Sequence, residues 1–153
     1  LEHAKDMSKY RYEQAVQCLE SSKALIDLND YKGAANRSYY CVFHAMRSVS
    51  ALQNVDFGNH GQLMGYFRRE YIKTKIFPVE MSDILTLLFD VRNKSDYDDF
   101  YVISKEEVTN QLKSAEYFLD EVRKYLEKNK YSQLRILLLR AMPEAASENQ
   151  KSK

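Results

Sequence analysis

Turn-forming residues are scarce in this chain. Four glycines and two prolines in 153 residues are too few for a β-rich fold, in which nearly every reversal draws on them. Long helices are expected instead. An excess of one charge is also missing: 23 Lys plus Arg stand against 22 Asp plus Glu, for a net charge of +1. The whole molecule therefore does not attract nucleic acid or an anionic membrane, and any such binding needs a local patch. The only cysteines, Cys18 and Cys41, fall inside helical patterns without metal-ligand spacing. Two buried free thiols in a reducing compartment are expected. No apolar run approaches the ~20 residues of a spanning helix, and the amino-terminal residues lack a charged region followed by an apolar signal segment. A soluble, cytoplasmic protein with no membrane role is expected. Glycine-rich phosphate loops, paired His or Cys ligands and nucleophile elbows are missing as well. The expectation is therefore no metal and no cofactor.

What is present is hydrophobic periodicity. The length suits one domain, long enough to bury roughly two-thirds of its unfolded surface. Tyr12, Val16, Leu19 and Ile26 recur at the spacing of one helix face over about residues 7–28. Asp30 is an N-cap candidate for a second helix over about 31–52, whose middle, YYCVFHAM, is apolar on almost every side and hence central. Residues 54–61 read as a loop. A short helix over about 62–73 then buries Leu63, Phe67 and Tyr71 and carries Arg68, Arg69, Lys73 and Lys75. That basic strip is either a solvated face or a set of phosphate contacts. Pro78 suits the first turn of a helix over about 79–94, with Met81, Ile84, Leu85, Leu88 and Val91 inward. Ser104 and Glu107 match a capping box, and Val108, Leu112, Ala115, Leu119, Val122 and Leu126 repeat behind them at a bundle spacing. After Asn129, residues 134–142 suit a further short apolar helix, and from Glu144 a polar, disordered tail is expected. The fold class is all-α: an up-and-down four-helix bundle with one short inserted helix over 5–128, and a C-terminal extension over 129–153.

Potential chemistry is densest in DVRNKSDYDDF, residues 90–100. Arg92 follows the buried stripe of its helix, near the carboxyl end where the dipole favours a cation. A second polar seam lies on the central helix, where Arg37, Tyr40, Cys41 and His44 fall on one side. His44 is either a satisfied boundary histidine or, with Arg37, faces the Arg92 region. Asp96, Asp98 and Asp99 cap the following turn and pair with Arg92, or, if turned inward, repel a polyanion.

Taken in order, NRSYYCVFHAMRS, NHGQL, YIKT and RNKSDYDDF with its capped final helix resemble a HEPN-domain protein. Such proteins are four-helix bundles often paired with small nucleotidyltransferases. The resemblance implies RNA or nucleotide binding of toxin-antitoxin or defence type. It also implies a homodimer whose cleft joins two Arg92 segments, and metal-independent ribonuclease activity there. In HEPN ribonucleases the motif is an arginine, a polar residue, a short spacer and a histidine. Arg92 and Asn93 match its first two positions, and Tyr97 stands where the histidine is often found. Those three are the catalytic candidates; Arg37, Tyr40, His44 and Asp96 are the binding candidates.

The substitution matters, because cleavage through the 2′-hydroxyl needs a base, stabilisation of phosphorane charge and a leaving-group acid. Arginine can meet the second need as a charged fork matched to phosphate oxygens. Tyrosine meets the first badly: with an ordinary pKa near 10 it is about 0.1% ionised at pH 7, a penalty of about 4 kcal/mol. It can still donate a hydrogen bond or act as the acid, and His44 could replace the motif histidine if the central helix packs beside this segment. Two other functions fit the same residues. One is a non-catalytic partner subunit of a nucleotidyltransferase, or its target, with Tyr97 or Tyr101 receiving the nucleotide. The other is a structural helical adaptor assembled through its aromatic faces.

Overall fold

The computed structural model describes the backbone of residues 2–141 and the side chains as far as Asn129. Among these residues all regular structure is helical. The elements are α1 (Glu2–Asp27), α2 (Tyr31–Ala51), α3 (His60–Phe67) with a π-helical turn at Arg68–Ile72, α4 (Glu80–Tyr97) and α5 (Lys105–Ala141). The all-α bundle expected from the periodicity is the one observed.

Local capping chemistry sets the boundaries. The Asp30 carboxylate accepts the Gly33 amide at 2.9 Å and starts α2, and a Cβ on Gly33 would meet that carboxylate. Asn59 does the same for α3, accepting the Gln62 amide at 3.0 Å. The Ser104–Glu107 box forms in both directions, at 3.1 and 3.2 Å. Each cap satisfies amides that a helix start otherwise leaves without a partner.

Side-chain bonds reveal the directions of the helices. Ser8 Oγ donates to Ser48 O, and Ser22 Oγ to Ala34 O, so the start of α1 meets the end of α2 and the reverse. The two are antiparallel. In the same way Asn36 reaches Asp96 and Arg92 reaches Tyr40, which sets α4 antiparallel to α2. Tyr39, Val42, Met46 and Val49 of α2 are fully buried, as are Met81 and Leu85 of α4 and Val108, Ala115 and Phe118 of α5. The apolar middle of α2 is thus the centre of the core. Lys23 of α1 pairs with Glu116 of α5 at 3.4 Å, and Phe67 packs on Phe118 with ring centroids 5.6 Å apart. Cys18 and Cys41 are buried free thiols.

Helices α1 and α3 begin earlier than the sequence expectation, at Glu2 and His60, and three further differences stand out. First, α4 runs three residues further, to Tyr97. Second, the third helix changes pitch at Arg68, where the Lys73 amide bonds back five residues to Arg68 O at 2.9 Å and Tyr71 and Ile72 are buried. Third, α5 continues as one helix through Asn129 to Ala141, so no separate helix begins after that residue; Asn, though a poor helix former, costs only a few tenths of a kcal/mol. The residues through Val122 form one compact unit. A second begins at Arg123, with its own Arg123–Glu127 pair at 3.1 Å. The tail expected from Glu144 lies outside the described residues.

Candidate functional site

Because α4 extends to Tyr97, Arg92 sits on a formed helix with Asp96 one turn beyond it. The last turn carries Lys94 rather than Arg92 as its basic residue, so helix-end electrostatics account poorly for the arginine. Its surroundings are specific. Nη1 donates to Asn93 Oδ1 at 3.1 Å and Nη2 to Tyr40 Oη at 3.1 Å. Nε lies 2.9 Å from Asp96 Oδ2, but its N–H axis misses that oxygen, and the donor is left without a hydrogen bond. The contact is therefore a charge pair rather than an aligned bridge, worth less than a bidentate one. The guanidinium carbon also lies 5.6, 5.5 and 5.9 Å from the ring centroids of Tyr39, Tyr40 and Tyr97, within cation–π range of all three. With its side chain only 16% exposed, Arg92 is held in place by neutral acceptors, rings and one carboxylate.

An open groove of about 940 Å³ runs past it, lined among others by Tyr40, His60, Asn93, Lys94 and Tyr97. The aspartates are mostly turned to structural work. Asp96 accepts from Asn36 Nδ2 at 3.0 Å, and Asp98 Oδ1 caps the Phe100 amide at 3.0 Å. Asp98 still forms part of the groove wall, whereas Asp96 and Asp99 do not line it.

Arg37 joins this site indirectly. Its Nε and Nη2 donate to Asn36 Oδ1 at 3.1 and 2.6 Å, and Asn36 in turn holds Asp96, so a polar chain connects Arg37 to Arg92. Both guanidiniums lie close to the Tyr40 ring. His44 does not line the groove. The antiparallel register pairs Asn36 with Asp96 and Tyr40 with Arg92, so one more turn carries His44 to the level of Leu88, past the arginine. There its Nδ1 is buried without a hydrogen-bond partner. Burial, then the positive charges of Arg47, Arg37 and Arg11, lower its pKa to about 4.

Of the basic strip, the two arginines have partners within the chain, while Lys73 and Lys75 are exposed. Arg68 donates to Ser82 Oγ, Ser82 O and Thr86 Oγ1 at 2.9, 3.0 and 2.7 Å, tying the π-helical turn to α4. Arg69 pairs with Glu70 at 3.0 Å. Packing of the turn against α4 aims Arg68 at partners that a helical wheel cannot show.

His60 is the groove residue that sequence reasoning missed. Its Nδ1 lies 2.7 Å from Tyr39 Oη; its ring stacks on Tyr39 and meets Tyr40 edge-on. These are the same two rings that flank Arg92. Burial, followed by the charges of Arg92 and Arg47, lowers the His60 pKa. A signal was available: Asn59 is a strong N-cap type, and starting the helix there places His60 on it instead of in a loop.

Among the described residues no helix is long and apolar enough to cross a membrane, and no cluster of three or more His, Cys, Asp or Glu side chains is placed to hold a metal ion.

A family model described as "HEPN domain" matches residues 8–125. A UPF0332 protein of Thermotoga maritima is 28% identical over 119 residues, 78% of this chain and 90% of that protein. The protein named "Putative toxin MJ0142" of Methanocaldococcus jannaschii is 30% identical over 114 residues, 74% of this chain and 78% of its own. A UPF0332 protein of Archaeoglobus fulgidus is 24% identical over 125 residues, 82% of this chain and 99% of its own.

Proposed function

Since this chain belongs to the HEPN domain family, we propose that it is a toxin-like protein that binds RNA by seating a phosphodiester in the groove beside Arg92. The observation that carries this reading is the state of that guanidinium. Two of its N–H groups hold neutral acceptors and Nε is buried against Asp96, which leaves the second N–H of each terminal nitrogen. It therefore keeps charge and donors for an anion, in a wall that also carries Lys94. A relative whose name carries the word toxin supports the toxin-like part. The open groove speaks against a purely structural adaptor.

The test is fluorescence anisotropy with a labelled single-stranded RNA of mixed sequence, in EDTA. Arg92→Ala is expected to weaken binding at least about tenfold, as loss of a charge-assisted pair should. Equal affinity of the two proteins removes the proposal.

A second reading is favoured by one observation, the 78% exposure of Tyr97 at the end of α4. As the target of a partner nucleotidyltransferase, this phenol is the better placed acceptor, since Tyr101 is half-buried. Intact-mass measurement after incubation with the cognate transferase and ATP tests it, and an unmodified chain rules it out. Phe100 and Val102, 94% and 83% exposed just past Tyr97, are the surface we assign to a second copy in a homodimer. Light scattering that finds only monomer at micromolar concentration would remove that assignment.

A further inference from the structure

The groove holds a histidine on an element that the HEPN motif does not include. His60 stands at the first position of α3, placed there by the Asn59 cap. It meets α2 through Tyr39 and Tyr40, and lines the same groove as Arg92 of α4.

The hydrogen bond to Tyr39 decides what its ring can do. Tyr39 is fully buried, and among the described residues its hydroxyl has one hydrogen-bond partner, His60 Nδ1 at 2.7 Å. A buried O–H without an acceptor costs about 1–3 kcal/mol. If Nδ1 carried the proton, the ring would donate to Tyr39, and the phenolic hydrogen would have no acceptor. If Tyr39 donates to Nδ1, both groups are satisfied and the ring hydrogen resides on Nε2.

We infer that His60 is a phosphate-binding residue of the Arg92 groove, held by Tyr39 as the Nε2–H tautomer so that it donates a hydrogen bond to a phosphodiester oxygen. This rests on the reading that the groove takes RNA phosphate. It deepens that reading by supplying a second donor from a different helix. It also carries a chemical consequence: neither ring nitrogen of this tautomer has a free lone pair for a 2′-hydroxyl proton. His60 in this state does not replace the missing motif histidine as a base.

The protonation states agree. Burial pushes the Tyr39 phenol well above its ordinary range, outweighing the lowering by Arg92, so it remains a donor. His60 is biased toward its neutral form by burial and by Arg92 and Arg47. The groups around it are Tyr39, Tyr40, His44 and Arg47 from α2, Arg92, Lys94 and Tyr97 from α4, and Asp98 just past its end.

The experiment uses the full chain and the same labelled RNA in EDTA, with Arg92→Ala, His60→Ala, His60→Gln and Tyr39→Phe. Long-range ¹H–¹⁵N spectra of the histidine-labelled protein report the tautomer. His60→Ala is expected to weaken binding about tenfold, the worth of one hydrogen bond to a charged group. His60→Gln, whose amide Nε2 reaches the position of the ring Nε2, should retain most of the affinity. Tyr39→Phe is a positioning variant and should lower the Nε2–H population, with weaker binding. The retained affinity of His60→Gln also separates loss of a donor from loss of fold. Wild-type affinity in His60→Ala, no recovery in a folded His60→Gln, or a proton found on Nδ1 overturns the inference. If only the His60 variants bind normally while Arg92→Ala fails, the phosphate groove stands and the inference falls. If Arg92→Ala also binds normally, the groove reading itself falls, and the inference with it.

Discussion

Arg92 was visible as a candidate from its place behind a buried stripe and within the family motif, but its partners were not. Asp96 follows from arithmetic, because four residues along a helix bring two side chains together. Tyr40 and Asn36 do not, because they depend on the register between two antiparallel helices. The pairing of Arg92 with Asp96, one of two alternatives in the sequence, is present at 2.9 Å. It places a carboxylate beside a proposed anion site, and the sign of its effect can be tested. Asp96→Asn keeps an amide oxygen for Asn36 and removes the charge, so RNA affinity measured by anisotropy should rise a few-fold at low salt, and the gain should shrink as salt is added. His60 escaped notice for a simpler reason. The glycines on either side of it favour a loop, while its place in the groove depends on Tyr39 and Arg92, both distant in sequence.

The helices themselves were largely legible, since capping boxes and apolar spacing are local features. Asp30, Ser104 and Glu107 cap where their side chains suggested. Asp30→Ala should lower unfolding stability by about 1 kcal/mol, read from the urea midpoint at constant slope. The π-helical turn was not legible. A change from four- to five-residue bonding leaves no clear mark on a hydrophobic pattern in which Leu63, Phe67 and Tyr71 all stay buried. The turn is fastened by Arg68, whose guanidinium makes three hydrogen bonds to Ser82 and Thr86 of α4. Arg68→Ala should destabilise the protein by about 1–3 kcal/mol, more than removal of a solvated surface charge, and calorimetry or urea melts will distinguish the two.

For the molecule as a whole, acid sensitivity follows from where the bundle places its histidines. His44 has a folded pKa of about 4 against an ordinary value of about 6.5 in the unfolded chain. The unfolded state therefore binds the proton first. The contribution of neutral His44 is fully present above about pH 6.5 and is lost progressively as pH falls toward 4, by on the order of 2–3 kcal/mol. His60, also shifted down, adds in the same direction. Urea midpoints should fall across that window, and His44→Leu should flatten the decline; an unchanged slope would contradict it. The all-α bundle could be inferred from composition, spacing and caps, because helix formation and amphipathic burial depend on residues within a few turns of one another. Which side chains meet in the groove was settled by packing. Arg92 comes from α4, Tyr39 and Tyr40 from α2, and His60 from the start of α3. They converge through the antiparallel register of α2 and α4 and the cap that starts α3, and that register is a property of the packed core rather than of any one segment. The basic strip shows the same limit in reverse: Arg68 looked solvated on its own helix and is bound to another.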